Sequence, residues 1–258
     1  MTQQIKVMSK LALITGATSG IGKATAEAFA DLGINLILCG RRLDRLYEIQ
    51  ESLLGKVKVN ILAFDVRNRQ EVEKALNTLP VELQAIDILV NNAGNAHGLS
   101  PIQDGNPDDW DAMMDGNVKG LLYVSKVIMP WIINRKKGHI VNISSIAGKA
   151  TYPNGNVYCA SKAAVEAISE GMRLDLNPFG IKVTNIAPGA VETEFSLVRF
   201  KGDDKRAEAV YNGFVPLTPQ DVAETIAFVV TRPAHVVLAD ITLFPLAQAS
   251  ATVLRREP

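Results

Sequence analysis

A short apolar run that ends in a cluster of glycines constrains the fold of this chain more than any other segment. Residues 11–14 are apolar, Gly16, Gly20 and Gly22 follow, and an alanine-rich stretch begins at Lys23. This pattern predicts a strand, a tight turn and a helix. In such a unit the glycines permit the turn, the approach of a pyrophosphate and close helix packing, while the helix amino terminus attracts phosphate. The segment therefore predicts dinucleotide binding, although its G-x-x-x-G-x-G spacing differs from the more general G-x-G-x-x-G fingerprint.

The end of the next predicted strand bears on which dinucleotide would bind. Residues 35–39 form an apolar run, and Gly40, Arg41 and Arg42 follow it. Sites for NAD usually place an acidic side chain here to hold the ribose 2′-hydroxyl, and this chain has no acid at that point. A guanidinium fork suits a phosphate group, so the two arginines favour NADP over NAD. The alternative interpretation is that they are only the basic start of the helix predicted from Leu43.

The remainder of the chain alternates short apolar runs with helical patterns, and no low-complexity linker divides it. Its 258 residues, 47% of them hydrophobic, can bury one large core, so residues 1–258 are predicted to form a single α/β domain. Runs such as 86–90 and 181–187 have the length of strands covered on both faces. A doubly wound parallel sheet is therefore the predicted architecture.

Composition limits the possible partners and locations. The 27 cationic side chains balance 27 anionic ones, which argues against a nucleic-acid partner and leaves a small-molecule substrate. Two cysteines, Cys39 and Cys159, are interpreted as reduced packing residues, and the scattered histidines predict no metal site. No run approaches the ~20 apolar residues of a membrane span, and the first residues lack a signal-peptide apolar region. A cytoplasmic location without membrane contact is expected.

A tyrosine and a lysine on one predicted helix form a candidate acid/base pair. Tyr158 and Lys162 lie four residues apart in an alanine-rich stretch, so a helix would place both side chains on one face. An ammonium beside a phenol favours the phenolate and lowers the pKa of the tyrosine, which suits it to proton transfer near neutral pH. Taken alone, the pair could equally be two unrelated residues on a surface helix.

Seven motifs in a fixed order make the chain resemble the short-chain dehydrogenase/reductase family, with the match running from Leu11 to about Phe195. In sequence order the motifs are Thr15-Gly16-Ala17-Thr18-Ser19-Gly20-Ile21-Gly22, Asp65-Val66, Asn91-Asn92-Ala93-Gly94, Asn117, Ser144-Ser145, Tyr158 with Lys162, and Pro188-Gly189 with Thr193. The resemblance implies a single-domain Rossmann fold whose seven parallel strands have the order 3-2-1-4-5-6-7.

The same resemblance implies the cofactor contacts. The adenine would be bordered by Asp65 and Val66, the ribose side lined by residues 92–94, and the nicotinamide amide held by residues 188–193. With Tyr158 and Lys162 included, the implied NADP contacts are Gly16, Thr18, Ser19, Gly20, Ile21, Gly22, Arg41, Arg42, Asp65, Val66, Asn92, Ala93, Gly94, Pro188, Gly189, Val191 and Thr193.

The resemblance also implies a catalytic set of Asn117, Ser145, Tyr158 and Lys162. Ser145 follows a predicted apolar strand and would donate a hydrogen bond to the reacting oxygen. Ser144 is the neighbouring candidate, but the family spacing to the tyrosine selects Ser145. Tyr158 would transfer the proton, Lys162 would lower its pKa and hold the nicotinamide ribose, and Asn117 would position a water that connects Lys162 to solvent.

Substrate choice is expected to depend on a lid at about residues 194–216. Arg199 could bind a substrate carboxylate, with Lys201 the weaker candidate because it lies in an apparent exposed turn. The alternative is a mobile polar lid with its charges in water. His97 follows the motif at residues 91–94 on a loop that should border the site, and nothing in the pattern makes it a substrate contact.

Beyond the shared core, the chain is most similar to the NADP-dependent 3-hydroxy acid dehydrogenases, also called serine 3-dehydrogenases. Residues 192–206, 216–224 and 232–236 carry this similarity, and residues 240–246 replace the Val-Asp-Gly-Gly ending of fatty-acid ketoreductases. The expected reaction is hydride transfer between NADP and the β-hydroxyl of an acid such as L-serine, L-allo-threonine or 3-hydroxypropionate. The alternatives are a broad carbonyl or 3-oxoacyl reductase and, least favoured, a non-catalytic NADP-binding regulator. The family usually forms homotetramers through long helices, here about residues 107–134 and 157–177.

Overall fold

The computed structural model describes residues 10–257 and contains a parallel sheet of seven strands in the order β3-β2-β1-β4-β5-β6-β7. The strands are β1 (Leu11–Thr15), β2 (Asn35–Gly40), β3 (Val59–Ala63), β4 (Ile88–Asn91), β5 (His139–Ile143), β6 (Lys182–Pro188) and β7 (Asp240–Leu243). The predicted sheet and its strand order are confirmed. Residues 1–9 and 258 lie outside the described residues, as does the expectation about a signal peptide.

Helices connect successive strands and cover both faces of the sheet. They are α1 (Gly20–Asp31), α2 (Leu43–Ser52), α3 (Arg69–Asn77), α4 (Pro107–Met114), α5 (Gly120–Asn134), α6 (Ile146–Lys149), α7 (Asn156–Leu176), α8 (Phe195–Arg199), α9 (Asp204–Ala209) and α10 (Pro219–Val230). Short 3₁₀ turns occur at Val81–Leu83, Ile102–Asp104 and Asn177–Phe179. No helix within residues 10–257 is long and apolar enough to cross a membrane.

Two apolar layers enclose the sheet, which explains why its central strands are apolar at nearly every position. On one face Ile14 of β1 packs in a cluster with Phe29 of α1 and Ile226 of α10. On the other face Leu13 belongs to a cluster that includes Ile128 of α5. All five β1 side chains are buried, as expected for a strand between two helical layers.

The glycine-rich turn brings α1 against the end of β1. Gly16 has a φ of 65°, in the left-handed region that favours glycine. A Cβ at Gly22 would lie 2.3 Å from the Gly16 carbonyl oxygen and 2.6 Å from the amide nitrogen of Asn92. There is therefore no room for a side chain at Gly22. The turn opens at the crevice between β1 and β4, where the strand order reverses. Ligands of doubly wound sheets bind at this point.

The long helix predicted from residue 107 to residue 134 is not regular. A π-helical turn at Asp115–Lys119 separates α4 from α5 and contains Asn117. The second predicted helix, 157–177, corresponds closely to α7 at Asn156–Leu176. Regular periodicity in the sequence located both helices, but it did not reveal the extra residue in the π turn.

The segment after β6 forms two short helices and is closed by the carboxyl-terminal tail. The backbone N–H of Glu257 donates to the carbonyl of Gly213, and the Arg256 guanidinium donates to the carbonyls of Val210 and Asn212. This tail follows β7, which is one of the two edge strands of the described sheet, opposite β3.

Candidate active site

A cleft of about 370 Å³ opens at the carboxyl ends of the strands. Most residues expected to contact cofactor line it: Gly16, Thr18, Ser19, Gly20, Ile21, Arg41, Arg42, Asp65, Val66, Asn92, Ala93, Gly94, Tyr158, Lys162, Pro188, Gly189, Val191 and Thr193. Gly22, the remaining one, lies behind the glycine turn and acts through packing. The cleft therefore brings together groups drawn from most of the chain, from β1 to the segment after β6.

One end of the cleft is cationic. Arg42 begins α2 and donates from Nη2 to the hydroxyls of Thr18 and Ser19, at 3.0 and 2.9 Å. Its Nη1 donates to a Glu194 carboxylate oxygen at 2.9 Å. Arg41 is more exposed and lies 3.7 Å from the carboxylate of Asp65. A guanidinium held by two hydroxyls at the end of β2 fits the 2′-phosphate of NADP.

The opposite wall of the cleft comes from the segment that follows β4. The amide of Asn92 donates to the carbonyls of Thr15 and Gly16 at 2.9 and 3.2 Å, which ties this segment to the glycine turn. A Cβ on Gly94 would lie 2.8 Å from the Asn117 side-chain oxygen and 3.4 Å from the Lys162 ammonium nitrogen. Gly94 therefore permits the close approach of two candidate catalytic side chains.

The two serines after β5 have different surroundings. Ser145 caps α6: its Oγ accepts from the Ala147 backbone N–H at 3.1 Å and lies 3.4 Å from the Pro188 carbonyl. Ser144 donates to the carbonyl of Lys162 at 3.1 Å and so binds the backbone of α7. A hydrogen bond between Ser145 and the phenol of Tyr158 also acts on the pKa of that tyrosine. The geometry therefore favours Ser145 over Ser144 as the catalytic serine.

The π turn directs Asn117 into a buried hydrogen-bond network. Its amide nitrogen donates to the Asn95 carbonyl at 2.8 Å and to the Ser161 hydroxyl at 2.9 Å, and its oxygen accepts from the Asn95 N–H at 2.7 Å. Both amide donors are thus engaged with protein groups. A water held by Asn117 would have to bind at the side-chain oxygen or at the backbone. Single π turns of this kind are frequent at functional sites.

Lys162 is almost completely buried, and its ammonium donates to the Ile143 carbonyl at 3.0 Å. Burial lowers the pKa of Lys162 to about 8. Burial also raises the pKa of Tyr158 well above its ordinary value, as does the neighbouring phenol of Tyr152, while the Ser145 hydrogen bond and the Arg199 charge offset this only in part. In the protein alone, Tyr158 is therefore a protonated phenol, and the expected lowering of its pKa by Lys162 is not seen.

Arg199, at the end of α8, turns inward to the candidate catalytic tyrosine. Its guanidinium carbon lies 5.6 Å from the ring centroids of both Tyr152 and Tyr158. It donates to the Gly98 carbonyl at 3.2 Å and to the Tyr152 hydroxyl at 2.9 Å. The alternative of a lid with all its charges in water is therefore wrong for Arg199.

Lys201 behaves as its predicted turn suggested. It has a φ of 55°, more than half of its side chain is exposed, and its ammonium lies 3.0 Å from the Asp109 carboxylate. His97 does line the cleft, and burial lowers its pKa. His97 therefore borders the cleft, whereas Lys201 is paired with Asp109 and is not among the residues that line it.

Sequence reasoning missed Tyr152, which the structure places with Arg199. This tyrosine lies between α6 and α7 and is half-buried. Its ring packs against Gly155, where an added Cβ would lie 2.1 Å from a ring carbon of Tyr152. No spacing rule singles it out. Its position, six residues before Tyr158 on the approach to α7, was the one available signal.

The two cysteines are free and buried, as predicted. Cys159 packs against the cluster that contains Tyr158 and Ala147. Within residues 10–257 no group of three or more histidine, cysteine, aspartate or glutamate side chains is arranged to hold a metal ion.

The family model for short chain dehydrogenases matches residues 10–203. The chain belongs to the short-chain dehydrogenase family. This short-chain dehydrogenase is 45% identical to the NADP-dependent 3-hydroxy acid dehydrogenase YdfG of Escherichia coli over 242 residues, which cover 93% of this chain and 97% of that protein. It is 44% identical to sulfoacetaldehyde reductase 2 of Chromohalobacter salexigens over 243 residues, covering 94% and 96%.

Solved structures give the same relationship. The closed form of a serine dehydrogenase complexed with NADP+ superposes with a TM-score of 0.90 at 43% identity, over 96% of this chain and 100% of that chain. The serine dehydrogenase of Escherichia coli superposes with a TM-score of 0.80 at 38% identity, over 93% and 99%. The predicted family and subgroup resemblance are confirmed.

Proposed function

We propose that this short-chain dehydrogenase transfers a hydride between NADP and the β-hydroxyl of a small 3-hydroxy acid. The observation that carries the proposal is Arg199, whose guanidinium carbon lies 5.6 Å from the Tyr158 ring centroid, in a smaller pocket that shares Tyr158 with the cleft. A cation at that position, with the Tyr152 hydroxyl beside it, offers a binding site for a substrate carboxylate next to the proton donor. A simple alcohol has no anionic group for this cation to bind.

The residues around the cleft fit NADP. Gly16 and Gly20 of the turn have no side chains to obstruct a pyrophosphate, and Arg42 with Thr18 and Ser19 would receive the 2′-phosphate. Lys162 and residues 92–94 would hold the nicotinamide ribose, and residues 188–193 the nicotinamide amide. When bound, NADP supplies or accepts the hydride, and the protein supplies orientation and proton transfer.

The protein groups have distinct roles in this reaction. In reduction, Ser145 would donate a hydrogen bond to the carbonyl oxygen, and Tyr158 would give that oxygen its proton. The raised pKa of Tyr158 keeps the phenol protonated, which is the form required for reduction. In oxidation the same phenol must first lose its proton, and the buried ammonium of Lys162 would stabilise the phenolate. Asn117 would join Lys162 to solvent through a water.

A substrate with a sulfonate in place of a carboxylate is the second candidate. The observation in its favour is the 44% identity to sulfoacetaldehyde reductase 2 of Chromohalobacter salexigens. Arg199 and Tyr152 present donors to any small oxyanion, so the same pocket suits both groups. A broad carbonyl reductase is disfavoured because it would have no use for the inward-facing arginine, and a non-catalytic regulator because the Ser145, Tyr158 and Lys162 set is intact.

The test compares initial rates of wild-type protein and Arg199→Met with NADP. Substrates are L-serine, L-allo-threonine and 3-hydroxypropionate, with 2-butanol as the uncharged alcohol and sulfoacetaldehyde with NADPH as the sulfonate. We expect Arg199→Met to raise KM for the acids about 10- to 100-fold, the value of a charge-assisted hydrogen bond, with little change for 2-butanol. Tyr152→Phe should raise the same KM by a smaller factor.

Two control variants accompany these measurements. Arg206→Met removes an arginine from the same segment, one whose guanidinium stacks on the ring of Phe200. Tyr158→Phe should abolish turnover of every substrate. An unchanged KM for the acids in Arg199→Met would remove the arginine from the site, and turnover of 2-butanol alone would establish the broad carbonyl reductase.

We further propose that the chain forms one domain over residues 1–258, with a substrate lid at about 194–216, and works as a cytoplasmic homotetramer. Exposed apolar side chains on the outer sides of the long helices support the assembly, among them Leu122 of α5 and Leu174 of α7. The two reduced cysteines are typical of a cytoplasmic protein. Balanced formal charge supports a small-molecule substrate without a nucleic-acid partner.

A further inference from the structure

The cationic end of the cleft contains an anionic side chain of the protein itself, the carboxylate of Glu194. One oxygen of the Glu194 carboxylate accepts from Arg42 at 2.9 Å, and the other lies 3.4 Å from a guanidinium nitrogen of Arg45. The Ser19 hydroxyl, which also accepts from Arg42, is a further hydrogen-bond partner of this carboxylate. Glu194 therefore engages the arginine and a hydroxyl that the proposed function assigns to the 2′-phosphate of NADP.

Glu194 reaches this position from a distant part of the chain. It immediately precedes α8, while Arg42 precedes α2, so the ion pair joins the start of the lid segment to the end of β2. The neighbouring Thr193 packs over the glycine turn, because a Cβ on Gly20 would lie 3.2 Å from its methyl group. The backbone at this point thus directs the carboxylate into the cleft.

The carboxylate is charged at neutral pH. Burial acts to raise the pKa of Glu194, but the hydrogen bonds from Arg42 and Ser19 and the charges of Arg42 and Arg45 outweigh it and hold that pKa below its usual range. A carboxylate and a phosphate are both strong acceptors for a guanidinium fork, and two anions at one arginine repel each other. The ion pair and a bound 2′-phosphate therefore cannot both keep their full interaction with Arg42.

We propose that Glu194 is an internal competitor for the 2′-phosphate and lowers the preference of this enzyme for NADP over NAD. The 2′-phosphate of NADP must displace the Glu194 carboxylate from Arg42 or share the guanidinium with it. NAD has no 2′-phosphate and therefore does not compete with the carboxylate. The inference rests on the proposed function, since it assumes that Arg42 receives the 2′-phosphate.

The test measures dissociation constants by calorimetry for wild-type protein, Glu194→Gln and the control Glu208→Gln. Glu208 is exposed, lies in α9 of the same lid segment and makes no ion pair within the described residues, so its variant changes the charge of the segment without touching Arg42. The probes are NADP and 2′,5′-ADP, which contain the 2′-phosphate, and NAD and 5′-AMP, which do not. Glutamine keeps the size of the side chain, and thermal unfolding checks that each variant is folded.

We expect Glu194→Gln to bind NADP and 2′,5′-ADP about three- to tenfold more tightly, the range for removal of a partly exposed competing ion pair. Binding of NAD and 5′-AMP should be unchanged, as should all four constants in Glu208→Gln. The effect of Glu194→Gln should also disappear in an Arg42→Gln background.

Several results would overturn the inference, and they separate it from the proposed function. Unchanged or weaker binding of 2′,5′-ADP in Glu194→Gln would mean that the carboxylate positions Arg42 and does not compete with the phosphate. If Glu194→Gln bound NADP more tightly but 2′,5′-ADP no more tightly, the increase in affinity would arise at the nicotinamide end of the cofactor and not at the 2′-phosphate. If Arg42→Gln bound 2′,5′-ADP as tightly as the wild-type protein, Arg42 would not receive the 2′-phosphate, and the competitor model would fail with that part of the proposed function.

Discussion

At the scale of one residue, Lys162 shows that a proposed catalytic group can lower the stability of the folded protein. The side chain is almost completely buried, and the Ile143 carbonyl accepts its hydrogen bond. Within residues 10–257 the structure gives its ammonium no carboxylate in salt-bridge contact, although Glu166 contributes a favourable charge at longer range. Removing such a group from water without a close counter-ion disfavours its charged form. The folded protein therefore tolerates this ammonium at a cost in stability.

Lys162→Met should make the protein inactive but more stable at pH 7. Folding lowers the pKa of Lys162 from 10.5 to about 8, so the folded state disfavours the ammonium at pH values below 8. The penalty is complete below pH 8 and decreases as pH rises towards the value for the unfolded chain. After allowance for the lost hydrogen bond, we expect a gain of about 1–3 kcal/mol at pH 7 that decreases towards pH 10.

Thermal and urea unfolding of both proteins at pH 7 and pH 10 would measure this difference. Lys126→Met is the matched control, because that lysine lies on the exposed side of α5. If the stability difference between Lys162→Met and the wild-type protein were the same at both pH values, the buried ammonium would not be its cause.

At the scale of elements, the close contact between the glycine turn and α1 excludes any side chain at Gly22. A Cβ at Gly22 would lie 2.3 Å from the Gly16 carbonyl oxygen, and backbone cannot move aside as a flexible side chain can. Gly22→Ala should therefore push α1 away from β1, lowering the free energy of unfolding by about 2–4 kcal/mol and weakening NADP binding.

Gly171→Ala provides the comparison for that variant. Gly171 is inside α7, and no atom lies within 4 Å of the position that its Cβ would take. Here alanine should stabilise the helix by about 0.5–1 kcal/mol. Urea titrations of the two variants should shift in opposite directions, and a neutral Gly22→Ala would show that the turn is more adaptable than its geometry indicates.

The elements that could be predicted from sequence are those with a local cause. Apolar runs and glycine positions located the central strands and α1 because burial and turn geometry depend on neighbouring residues. The π turn has a non-local cause: Asn117 bonds to Asn95 and to Ser161 of α7, both remote in sequence. The hydrogen bond from Arg199 to Tyr152 could not be predicted for the same reason, because it joins residues 47 positions apart.

At the scale of the whole molecule, the exposed apolar side chains of the long helices predict the assembly. Leu174 is 69% exposed on α7 and Leu122 is 40% exposed on α5. Side chains of this kind on neighbouring helices suit burial against a second copy. We expect the wild-type protein to have a tetramer mass by light scattering and Leu174→Asp to dissociate into smaller species.

Leu54→Asp is the control for that measurement, because Leu54 is 72% exposed after α2, away from the two long helices. It should leave the mass unchanged. A monomer mass for the wild-type protein at working concentration would reject the tetramer, and an unchanged mass for Leu174→Asp would place the interface elsewhere.

The π turn at Asp115–Lys119 also has a consequence for how such a chain can change over generations. Each added residue turns a helix by about 100°, so the loss of a single codon there would let α4 and α5 join as one ordinary helix. Asn117 would then rotate away from Asn95, whereas the glycine turn and Arg42 would be untouched. One small deletion thus offers a route from an enzyme to a protein that binds dinucleotide without turning it over.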